Sequence, residues 1–469
     1  MGQGPPEIVV EDPATGEELA RLPEDGPEAV DAAARAAREA FDGPWGALTA
    51  AERGRTLLGL AALLRERADE LAALESQDTG KPLGQARTDV ATAARYLEYY
   101  GGAADKLLGE TIPSEDGAFV YTLREPYGVV AHITPWNSPL SQLFRGVAPS
   151  LAAGNTVLVK PSEVAPLSTR LVAGVLEEAG LPRGVVAVVN GRGATTGAAV
   201  VDHPLVAHVT FTGSVATGAS VMAAAARRIV PVSLELGGKS PTIVLPDADL
   251  DAAVDAAAAA VIRNAGQSCF ATTRILVHDD IHDAFVERLV ARFGDLTVGP
   301  GREDPDLGPL ASRAQLDRVL ELLESAVAEG ATVGCGGGRI DDPALASGHF
   351  VAPTVLTGVE NTMRVARAEV FGPVQCVLRF ATENEAVALA NASEYGLAAG
   401  VFTRDLSAAH RLARRLEAGQ VQINRYPAGG VEAPFGGYKR SGIGREKGLE
   451  ALRHYTQTKT VITHVEQAP

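Results

Sequence analysis

Cys269 is the residue whose type and setting point most directly to chemistry. It ends the segment GQSC, in a loop between an Ala-rich stretch and the apolar run TRILV. A glycine-marked loop can present a side chain to a cleft, and a cysteine thiolate in a cleft is a nucleophile. A single cysteine is more often buried and inert. Its position alone therefore makes Cys269 a candidate nucleophile and leaves the inert alternative open.

Glu235 and Asn137 are two further candidates for a site. Glu235 ends the apolar run PVSLE and is followed by LGGK. A carboxylate at the end of an apolar strand is paired, caps a helix or belongs to a site. Asn137 lies in PWNSP, directly after the run GVVAHIT, where it is either a site group or a simple turn residue. Each of these signals is weak by itself.

Two other segments could bind a nucleotide. FTGS ends a predicted strand and leads into a helix, with Gly213 and Gly218 in a Gly-x-x-x-x-Gly spacing. Helix N-termini bind phosphate through free N–H groups, and glycine permits close approach. The spacing differs from the usual dinucleotide motif, so it is poor evidence alone. Lys160 and Glu163, in KPSE, could bind ribose hydroxyls or could form a solvated charge pair.

The pattern of apolar runs predicts the elements that position these residues. Residues 27–41 and 49–76 have the spacing of amphipathic helices. From Gly128, the runs GVVAHIT, NTVLVKP, VVAVVNG, AHVTFTG and PVSLELGG alternate with helical stretches such as 166–179 and 215–228. This alternation predicts parallel strands with crossover helices. A second series (TRILVHD, HFVAPTVLTG, QCVLRF and GQVQIN) predicts a second α/β domain from near Gly238. The tail HYTQTKTVITHV alternates in period two and predicts a strand that completes a sheet elsewhere, in this chain or another subunit.

Composition excludes several classes of partner. The chain of 469 residues has 42 basic and 58 acidic side chains and a formal net charge of −16. Such a surface repels phosphate backbones and anionic lipid, so we expect no nucleic-acid or membrane partner. Three cysteines are too few for a disulfide framework, which favours a cytoplasmic location. The nine histidines form no ligand cluster in the sequence, so we expect no metal.

Taken together, seven motifs resemble those of the aldehyde dehydrogenase superfamily over nearly the whole chain. They are PWNSP, KPSE, FTGS, ELGGK, GQSC, EVFGP and PFGGYK-x-SG. The resemblance implies an α/β fold with two doubly wound, Rossmann-like domains, parallel-rich sheets and a small β oligomerisation element. It places an NAD-binding domain at residues 1–103 and 127–237, a catalytic domain at 238–453 and the oligomerisation element at 104–126 and 454–469. It also implies a homodimer or homotetramer.

The resemblance assigns a reaction to the three candidate residues. Cys269 would attack an aldehyde substrate, and the oxyanion would be held by the Asn137 amide and the backbone N–H of Cys269. After hydride transfer, Glu235 would act as general base for the water that hydrolyses the thioester. Two alternatives stay open: acyl transfer to coenzyme A, and a catalytically silent scaffold with the same fold.

NAD is the cofactor that the resemblance implies. Lys160 and Glu163 would hold the adenosine ribose, Ser214 a phosphate and Glu369 the nicotinamide ribose, with Phe371 beside the nicotinamide. Because the Glu163 carboxylate accepts from a 2′-hydroxyl and repels a 2′-phosphate, we expect NAD rather than NADP. The full set of expected cofactor contacts is Lys160, Glu163, Ser214, Gly213, Gly218, Trp136, Glu369 and Phe371.

The substrate is where the sequence departs from the family pattern. Many members carry an aromatic residue and a lysine where this chain has Arg145 and Gly146. Arg145 and Arg425 could bind a substrate carboxylate, although pairing with acidic neighbours is the favoured interpretation. A bulky aromatic aldehyde and a carboxylated semialdehyde both stay open. The candidate pocket residues are Arg145, Ser268, Phe270, Arg425 and Phe435.

Overall fold

The structure, a computed structural model, describes residues 6–465. Residues 1–5 and 466–469, which the expected domain boundaries include, lie outside the described part. Within it no helix is both long and apolar enough to span a membrane.

The first half of the chain builds most of one sheet with helices on both faces, together with a two-stranded sheet at its start and two strands, Thr111–Ile112 and Ala118–Pro126, of a small separate sheet. Its elements are β1 (Glu7–Glu11), β2 (Glu18–Pro23), α1 (Pro27–Asp42), α2 (Ala50–Glu66), α3 (Ala68–Thr79), α4 (Leu83–Ala103), β3 (Thr111–Ile112), β4 (Ala118–Pro126), β5 (Val129–Ile133), α5 (Pro139–Ala152), β6 (Thr156–Lys160), α6 (Leu167–Glu178), β7 (Val186–Val188), α7 (Ala198–Asp202), β8 (Val206–Thr212), α8 (Val215–Arg227) and β9 (Val232–Glu235).

This first sheet has the order β19-β9-β8-β5-β6-β7, where β19 is Gly442–Ile443 and the strands β9, β8, β5, β6 and β7 are parallel. Every residue of β5 and β6 is buried, as expected for strands covered by helices on both faces. The doubly wound arrangement predicted from the alternating runs is therefore confirmed. β19, a two-residue strand from near the C-terminus, adds antiparallel to β9 at Glu235.

The second half builds a second sheet and ends on a third. Its elements are β10 (Pro241–Val244), α9 (Leu250–Ile262), β11 (Arg274–His278), α10 (His282–Gly294), α11 (Arg313–Ala328), β12 (Thr332–Cys335), β13 (Thr354–Thr357), α12 (Arg364–Arg367), β14 (Val374–Phe380), α13 (Glu383–Asn391), β15 (Tyr395–Gly396), β16 (Ala398–Phe402), α14 (Leu406–Arg415), β17 (Gln420–Ile423), β18 (Tyr438–Lys439), β19 (Gly442–Ile443), α15 (Glu450–His454) and β20 (Thr456–His464).

The second sheet has the order β12-β13-β14-β11-β10-β16-β17 and is parallel except for β12 at its edge. Its core includes the Ala-rich helix α9. The Asp249 side chain accepts from the backbone N–H of Ala252 at 3.1 Å and so caps the helix. The predicted second series of strands therefore forms a second parallel-rich sheet.

One predicted element differs in the structure, and the predicted tail strand is present. The segment 49–76 forms two helices, α2 and α3, because the backbone leaves the helical conformation at Arg67. The break lets Leu64 and Leu71 pack into the same core. The tail strand β20 finds its partner within the chain, since it pairs antiparallel with β4 along its whole length. Together with β3 these strands form a small third sheet.

Candidate active site

The candidate cofactor residues lie along one edge of the first sheet. Parallel strands end at the same edge, and ligands of open α/β sheets bind in the crevice outside those carboxyl ends. Lys160 ends β6, and the segments after β5, β8 and β9 carry Asn137, Ser214 and Gly237. The register aligns Ile133 of β5 with Lys160. The sequence had placed these residues after four separate runs, and the sheet brings them together.

The opposite wall comes from the amino ends of strands in the second sheet. Cys269 precedes β11, and Glu369 and Phe371 precede β14. Gly238, in the link from β9 to β10, packs tightly on the Cys269 loop, because a Cβ there would lie 2.5 Å from the carbonyl oxygen of Cys269. The carboxyl edge of one sheet therefore faces the amino edge of the other, and the candidate residues lie between them.

A left-handed turn presents Cys269 to this cleft. α9 ends at Ile262, and Asn264, Ala265 and Gly266 then adopt positive φ angles of 49°, 51° and 74°. Positive φ is costly for residues other than glycine and persists where surrounding contacts enforce it. At Gly266 a Cβ would also meet the carbonyl oxygen of Gly372 at 2.1 Å. Glycine at position 266 is thus required by both conformation and space.

Hydrogen bonds tie Asn137 to the Cys269 loop. The Asn137 Nδ2 donates to the carbonyl oxygen of Gln267 at 2.9 Å, and Asn264 Nδ2 donates to the carbonyl oxygen of Asn137 at 2.7 Å. Gln267 is anchored in turn, because its Oε1 accepts from the backbone N–H of Ala311 at 2.9 Å. A primary amide has two N–H donors, so Asn137 keeps one for a ligand.

Two cavities meet at Cys269. One, of about 530 Å³, is lined by Trp136, Ser214, Glu235 and Glu369 among others. The other, of about 630 Å³, extends toward α4 and the segment 425–435. Cys269 and Asn137 line both. Both volumes lie in the range of small-molecule sites. A molecule in each cavity would therefore meet its neighbour at the thiol.

Burial controls the protonation of the two central groups. It raises the pKa of the Cys269 thiol to about 12, against a smaller lowering effect of Arg145. It also raises the pKa of Glu235 well above the usual value, and the nearby Glu446 carboxylate adds to this. The Glu235 Oε2 has no hydrogen-bond partner in residues 6–465. A buried oxygen without a partner is typical of a group kept for chemistry.

Arg145 is engaged by a carboxylate that the sequence analysis missed. Its Nε forms a salt bridge with Glu446, and both side chains are buried. Its Nη2 donates to Thr212 Oγ1 at 3.3 Å. The pairing with an acidic neighbour, which the sequence analysis favoured, is thus what the structure contains. Glycine is needed at position 146 for a separate reason, because a Cβ there would lie 2.7 Å from His132 Nδ1.

Glycines and a capping serine shape the predicted phosphate site. Ser214 caps α8, and its hydroxyl accepts from the backbone N–H of Thr217 at 3.2 Å. A Cβ at Gly218 would lie 2.5 Å from Leu236, so this glycine serves the packing of α8 on β9. A Cβ at Gly213 would lie 2.6 Å from the Phe211 ring. Ser214 and Gly213 line the smaller cavity.

Lys160 and Glu163 form an ion pair beside the end of β6. Lys160 Nζ lies 2.8 Å from Glu163 Oε2, and Glu163 Oε1 accepts from the backbone N–H of Gly193 at 3.2 Å. Burial acts to raise the Glu163 pKa, but the charge and hydrogen bond of Lys160 outweigh it and the pKa is lowered. Glu163 is therefore an anionic acceptor.

Glu369, Phe371 and Trp136 close the smaller cavity. Glu369 Oε1 accepts from the backbone N–H of Gly238 at 3.1 Å, and burial raises its pKa to about 7. The rings of Phe371 and Trp136 meet edge to face with centroids 5.2 Å apart. Phe371 has a φ of 55°, a strained value for an aromatic residue. All three line the cavity that Cys269 shares.

The five candidate pocket residues line the larger cavity. Arg145, Ser268, Phe270, Arg425 and Phe435 all contribute to its wall. Sequence reasoning missed Arg263 and Lys447, which line it too. Arg263 follows the last residue of α9 and lies six positions before Cys269. This closeness in sequence to the candidate nucleophile could have identified it. Lys447 reaches the cavity only through the fold. No three His, Cys, Asp or Glu side chains in residues 6–465 cluster as a metal site.

Comparisons with known proteins agree with this arrangement. The Aldehyde dehydrogenase family matches residues 1–461. A chain described as an aldehyde dehydrogenase from Burkholderia cenocepacia is 50% identical, with a TM-score of 0.96 over 98% of this chain and 97% of that one. An aldehyde dehydrogenase from Bacillus cereus, solved as an NAD+ complex, is 43% identical, with a TM-score of 0.96 over 98% and 94%.

A third solved structure adds a modified cysteine. It is a point mutant of betaine aldehyde dehydrogenase from Staphylococcus aureus with NAD+ and a BME-modified cysteine. It is 40% identical, with a TM-score of 0.96 over 99% of this chain and 94% of that one. The family match spans nearly the whole chain, and all three structures cover both sheets and the cleft between them. The chain therefore belongs to the aldehyde dehydrogenase family and is an enzyme that oxidises aldehydes.

Proposed function

We propose that the protein oxidises an aldehyde to a carboxylic acid with NAD, through a thioester on Cys269. The observation that carries the proposal is that Cys269 and Asn137 line both cavities, so a cofactor in one and a substrate in the other meet at the thiol. The smaller cavity suits the cofactor because a helix N-terminus and the strand ends of the first sheet surround it.

The residues of the smaller cavity, with the ion pair at the end of β6, fit NAD. Solved relatives from Bacillus cereus and Staphylococcus aureus contain NAD+. In this chain Ser214, Gly213 and the start of α8 would hold phosphate, and Glu369 the ribose next to the nicotinamide. Lys160 and Glu163 would hold the other ribose. The anionic Glu163 disfavours a 2′-phosphate, so NAD is the expected form rather than NADP. Bound NAD supplies a hydride acceptor at the nicotinamide.

Cys269 begins the reaction by attacking the aldehyde carbon. A C–S bond forms, the thiol proton leaves to a base, and the carbonyl oxygen becomes an oxyanion. The free N–H of Asn137 and the backbone N–H of Cys269 are the proposed donors to that oxyanion. Removing one such donor typically costs about 10²–10³ in rate. The thiohemiacetal then loses its hydride to the nicotinamide and becomes a thioester.

Glu235 completes the turnover. Its carboxylate takes a proton from water, the water oxygen attacks the thioester carbon, and the C–S bond breaks to release the carboxylic acid and the thiol. The overall balance is one aldehyde, one water and one NAD+ converted to one acid, one NADH and one proton. The carboxyl lines the same cavity as Cys269 and has an unpartnered oxygen, which suits a group that binds water.

Two cysteine variants test the proposal. Cys269→Ala should lower NADH formation by about 10³-fold or more, because the covalent route is lost. Cys335→Ala is the matched control, since Cys335 lies in β12 away from both cavities, and should keep the parent rate. A Cys269→Ala enzyme that oxidised aldehydes at the parent rate would contradict the mechanism.

The two alternatives have separate tests. An acylating enzyme would require coenzyme A for sustained turnover, whereas the hydrolytic mechanism, with Glu235 as base, proceeds without it. A silent scaffold would lose nothing when iodoacetamide alkylates Cys269. We expect turnover without coenzyme A and its loss on alkylation.

The assembly and location of the enzyme are further proposals. The small sheet of β3, β4 and β20 exposes Phe119, Leu123 and Ile462, a concentration of apolar surface that suits a subunit contact. We assign the oligomerisation element to this sheet and its flanking residues, 104–126 and 454–469. We assign the boundary along the chain between the NAD-binding domain and the catalytic domain to the region near Gly238. A homodimer or homotetramer is the expected state. The three unpaired thiols suit the reducing cytoplasm.

A further inference from the structure

The larger cavity has a strong excess of positive charge. Five cationic side chains line it, and one carboxylate, Glu432, does so. The cations are Arg95, Arg145, Arg263, Arg425 and Lys447. The protein as a whole has a net charge of −16, so this concentration of cations runs against the general charge of the chain. A cavity of one sign attracts ligands of the other.

Two of these cations are already neutralised. Arg95 forms a salt bridge with Glu432 at the rim. Arg145 forms a buried salt bridge with Glu446, behind the cavity wall. Neither guanidinium therefore needs a ligand to balance its charge. The excess charge resides on the other three side chains.

Lys447 is the most enclosed of these three. Within residues 6–465 no carboxylate lies within 4.0 Å of its ammonium group, and the group lies 5.0 Å from the centroid of the Phe435 ring. A ring face offsets part of the cost of a buried cation but does not replace an anion. Burial lowers the pKa of Lys447 to about 8, and repulsion from Arg145 and Arg263 adds to the shift.

Arg263 and Arg425 extend the cationic wall. Arg263 lies 5.7 Å from the centroid of the Phe270 ring. Its nearest carboxylate, on Asp89, is 4.0 Å away and is bound more closely by Lys81, at 2.5 Å. Arg425 is exposed at the mouth and forms no salt bridge with the described residues. The Lys447 ammonium group and the guanidinium groups of Arg263 and Arg425 thus line the same cavity, with Lys447 deepest.

We propose that the substrate is an aldehyde that carries a carboxylate at its other end, held by Lys447 with Arg263 and Arg425. The proposal rests on the proposed function, since it places the aldehyde carbon at Cys269 and the anionic end in the same cavity. Oxidation of such a semialdehyde adds one oxygen from water and yields a dicarboxylate.

The charge balance favours a carboxylate over a neutral aldehyde. A neutral substrate would displace water from the Lys447 ammonium and leave a desolvated charge without a partner, which is costly. A carboxylate would supply the missing negative charge and accept from the ammonium in a charge-assisted hydrogen bond. Of the three cations only Lys447 is enclosed, while Arg263 and Arg425 keep contact with solvent, so a monoanionic end matches the enclosed charge better than a phosphate dianion.

Matched substrates and variants test the proposal. We would compare kcat/KM for glutaric semialdehyde and pentanal, which have the same chain length, in wild type, Lys447→Met, Lys447→Arg and Lys459→Met. Wild type should favour glutaric semialdehyde by about 10-fold or more, and Lys447→Met should lose about 10- to 100-fold on that substrate alone. Lys447→Arg should keep most of the preference. Lys459→Met changes an exposed lysine on β20 and should match wild type.

Three outcomes would overturn the proposal. One is a wild-type preference for pentanal; another is a preference for an aldehyde that carries a phosphate. The third is an equal loss on both substrates in Lys447→Met, which would mean that Lys447 serves the nucleophile. Any of these would leave the thioester mechanism standing, because that mechanism fails only if Cys269→Ala retains activity.

A binding measurement keeps the test independent of turnover. Calorimetry on the Cys269→Ala enzyme would compare glutarate with pentanoate, the products of the two aldehydes. Glutarate should bind about 10-fold more tightly or better, and Lys447→Met in that background should remove the difference. Equal affinities for the two acids would contradict the proposal. If Lys447→Met does not fold, Arg263→Met and Arg425→Met take its place, with smaller expected losses.

Discussion

In the proposed reaction, the Cys269 thiol and the Glu235 carboxyl must lose their protons, although burial favours the protonated form of both. Burial raises the pKa of the Cys269 thiol to about 12 and that of Glu235 well above its usual value. Both groups are therefore protonated more readily than free side chains. The neutral forms of the two groups avoid the cost of a buried charge. The positive charge of Arg145 has the opposite effect and lowers both pKa values. A base whose pKa has been raised by burial is also a stronger proton acceptor.

Glu235→Gln should slow release of the acyl group more than its formation. An amide cannot take a proton from water, and loss of a general base typically costs about 10²–10⁴ in rate. We expect a burst of NADH followed by slow turnover, with an acyl adduct on Cys269 visible by mass spectrometry. Glu178→Gln, an exposed change in α6, is the control. Equal rates for Glu235→Gln and wild type would remove the assigned role.

The pH dependence of hydrolysis follows from the same residue. The active form of Glu235 is the carboxylate, whose population grows as pH rises through the pKa. Because burial and Glu446 raise that pKa, activity should rise with pH over a range above the usual titration of a glutamate. In Glu235→Gln this rising limb should disappear from the thioester hydrolysis rate. A wild-type profile that is flat across this range would contradict the assignment.

Glu163 should set the choice of cofactor. Its pKa is lowered, so it is anionic near neutral pH and repels a 2′-phosphate. Glu163→Ser should raise kcat/KM for NADP by about 10-fold or more and lower it for NAD, since a charge-assisted contact is worth roughly 1.5–3 kcal/mol. Initial rates with both cofactors measure this. Wild-type preference for NADP would show that the carboxylate does not discriminate.

At the scale of elements, the sequence predicted the buried parallel strands well. β5 and β6 are short, wholly buried runs bounded by turn residues, and covered strands have that pattern. β10 and β16 were missed. Pro241–Val244 follows the ELGGK motif so closely that the two runs merge, and Ala398–Phe402 is weakly marked. Periodicity cannot separate such short runs without their partners.

The site residues could be predicted where the local sequence alone determines the backbone turn beside them. Cys269, Asn137 and Glu235 each lie beside a marked turn, so their local setting was visible. Glu446 and Lys447 were not found, because their positions depend on β19 pairing with β9 more than 200 residues earlier in the chain. Salt-bridge partners from distant parts of a chain leave no local pattern. The break at Arg67 also leaves no local pattern, because it depends on the packing of α2 and α3 into a shared core.

The left-handed turn before Cys269 makes a prediction about an element. Gly266→Ala would place a Cβ 2.1 Å from the carbonyl oxygen of Gly372 at a φ of 74°. We expect a loss of stability of about 2 kcal/mol or more and a larger proportional loss of activity, as the thiol is displaced. Denaturant unfolding and kcat/KM measure the two effects.

Gly174→Ala is the matched control for that substitution. Gly174 lies inside α6, and a Cβ added there would have no atom within 4 Å outside the helix's own backbone. Alanine there should stabilise the protein by about 0.5–1 kcal/mol and leave activity unchanged. If Gly266→Ala behaved like Gly174→Ala, the turn would not be what holds Cys269 in place.

At the scale of the whole molecule, the cleft depends on two sheets that face each other edge to edge. The first contributes the ends of its parallel strands and the second contributes the loops before β10, β11 and β14. β19 pairs with β9 of the first sheet and β20 pairs with β4 of the small sheet, so the C-terminal segment returns to the first half of the chain. Glu446 and Lys447 lie in that returning segment. The chain therefore completes its substrate cavity only when its last strands are in place.

The small sheet gives the last prediction. Phe119 and Leu123 lie four residues apart on one face of β4, with exposed fractions of 48% and 40%. If this face is a subunit contact, Phe119→Asp with Leu123→Asp should bury two charges and shift the protein toward the 48.6 kDa chain. Light scattering after gel filtration measures the mass. Leu406→Asp is the control, because Leu406 is 70% exposed at the start of α14, where an acidic side chain suits the helix N-terminus. An unchanged assembly in the double variant, or equal dissociation in the control, would place the subunit contact elsewhere.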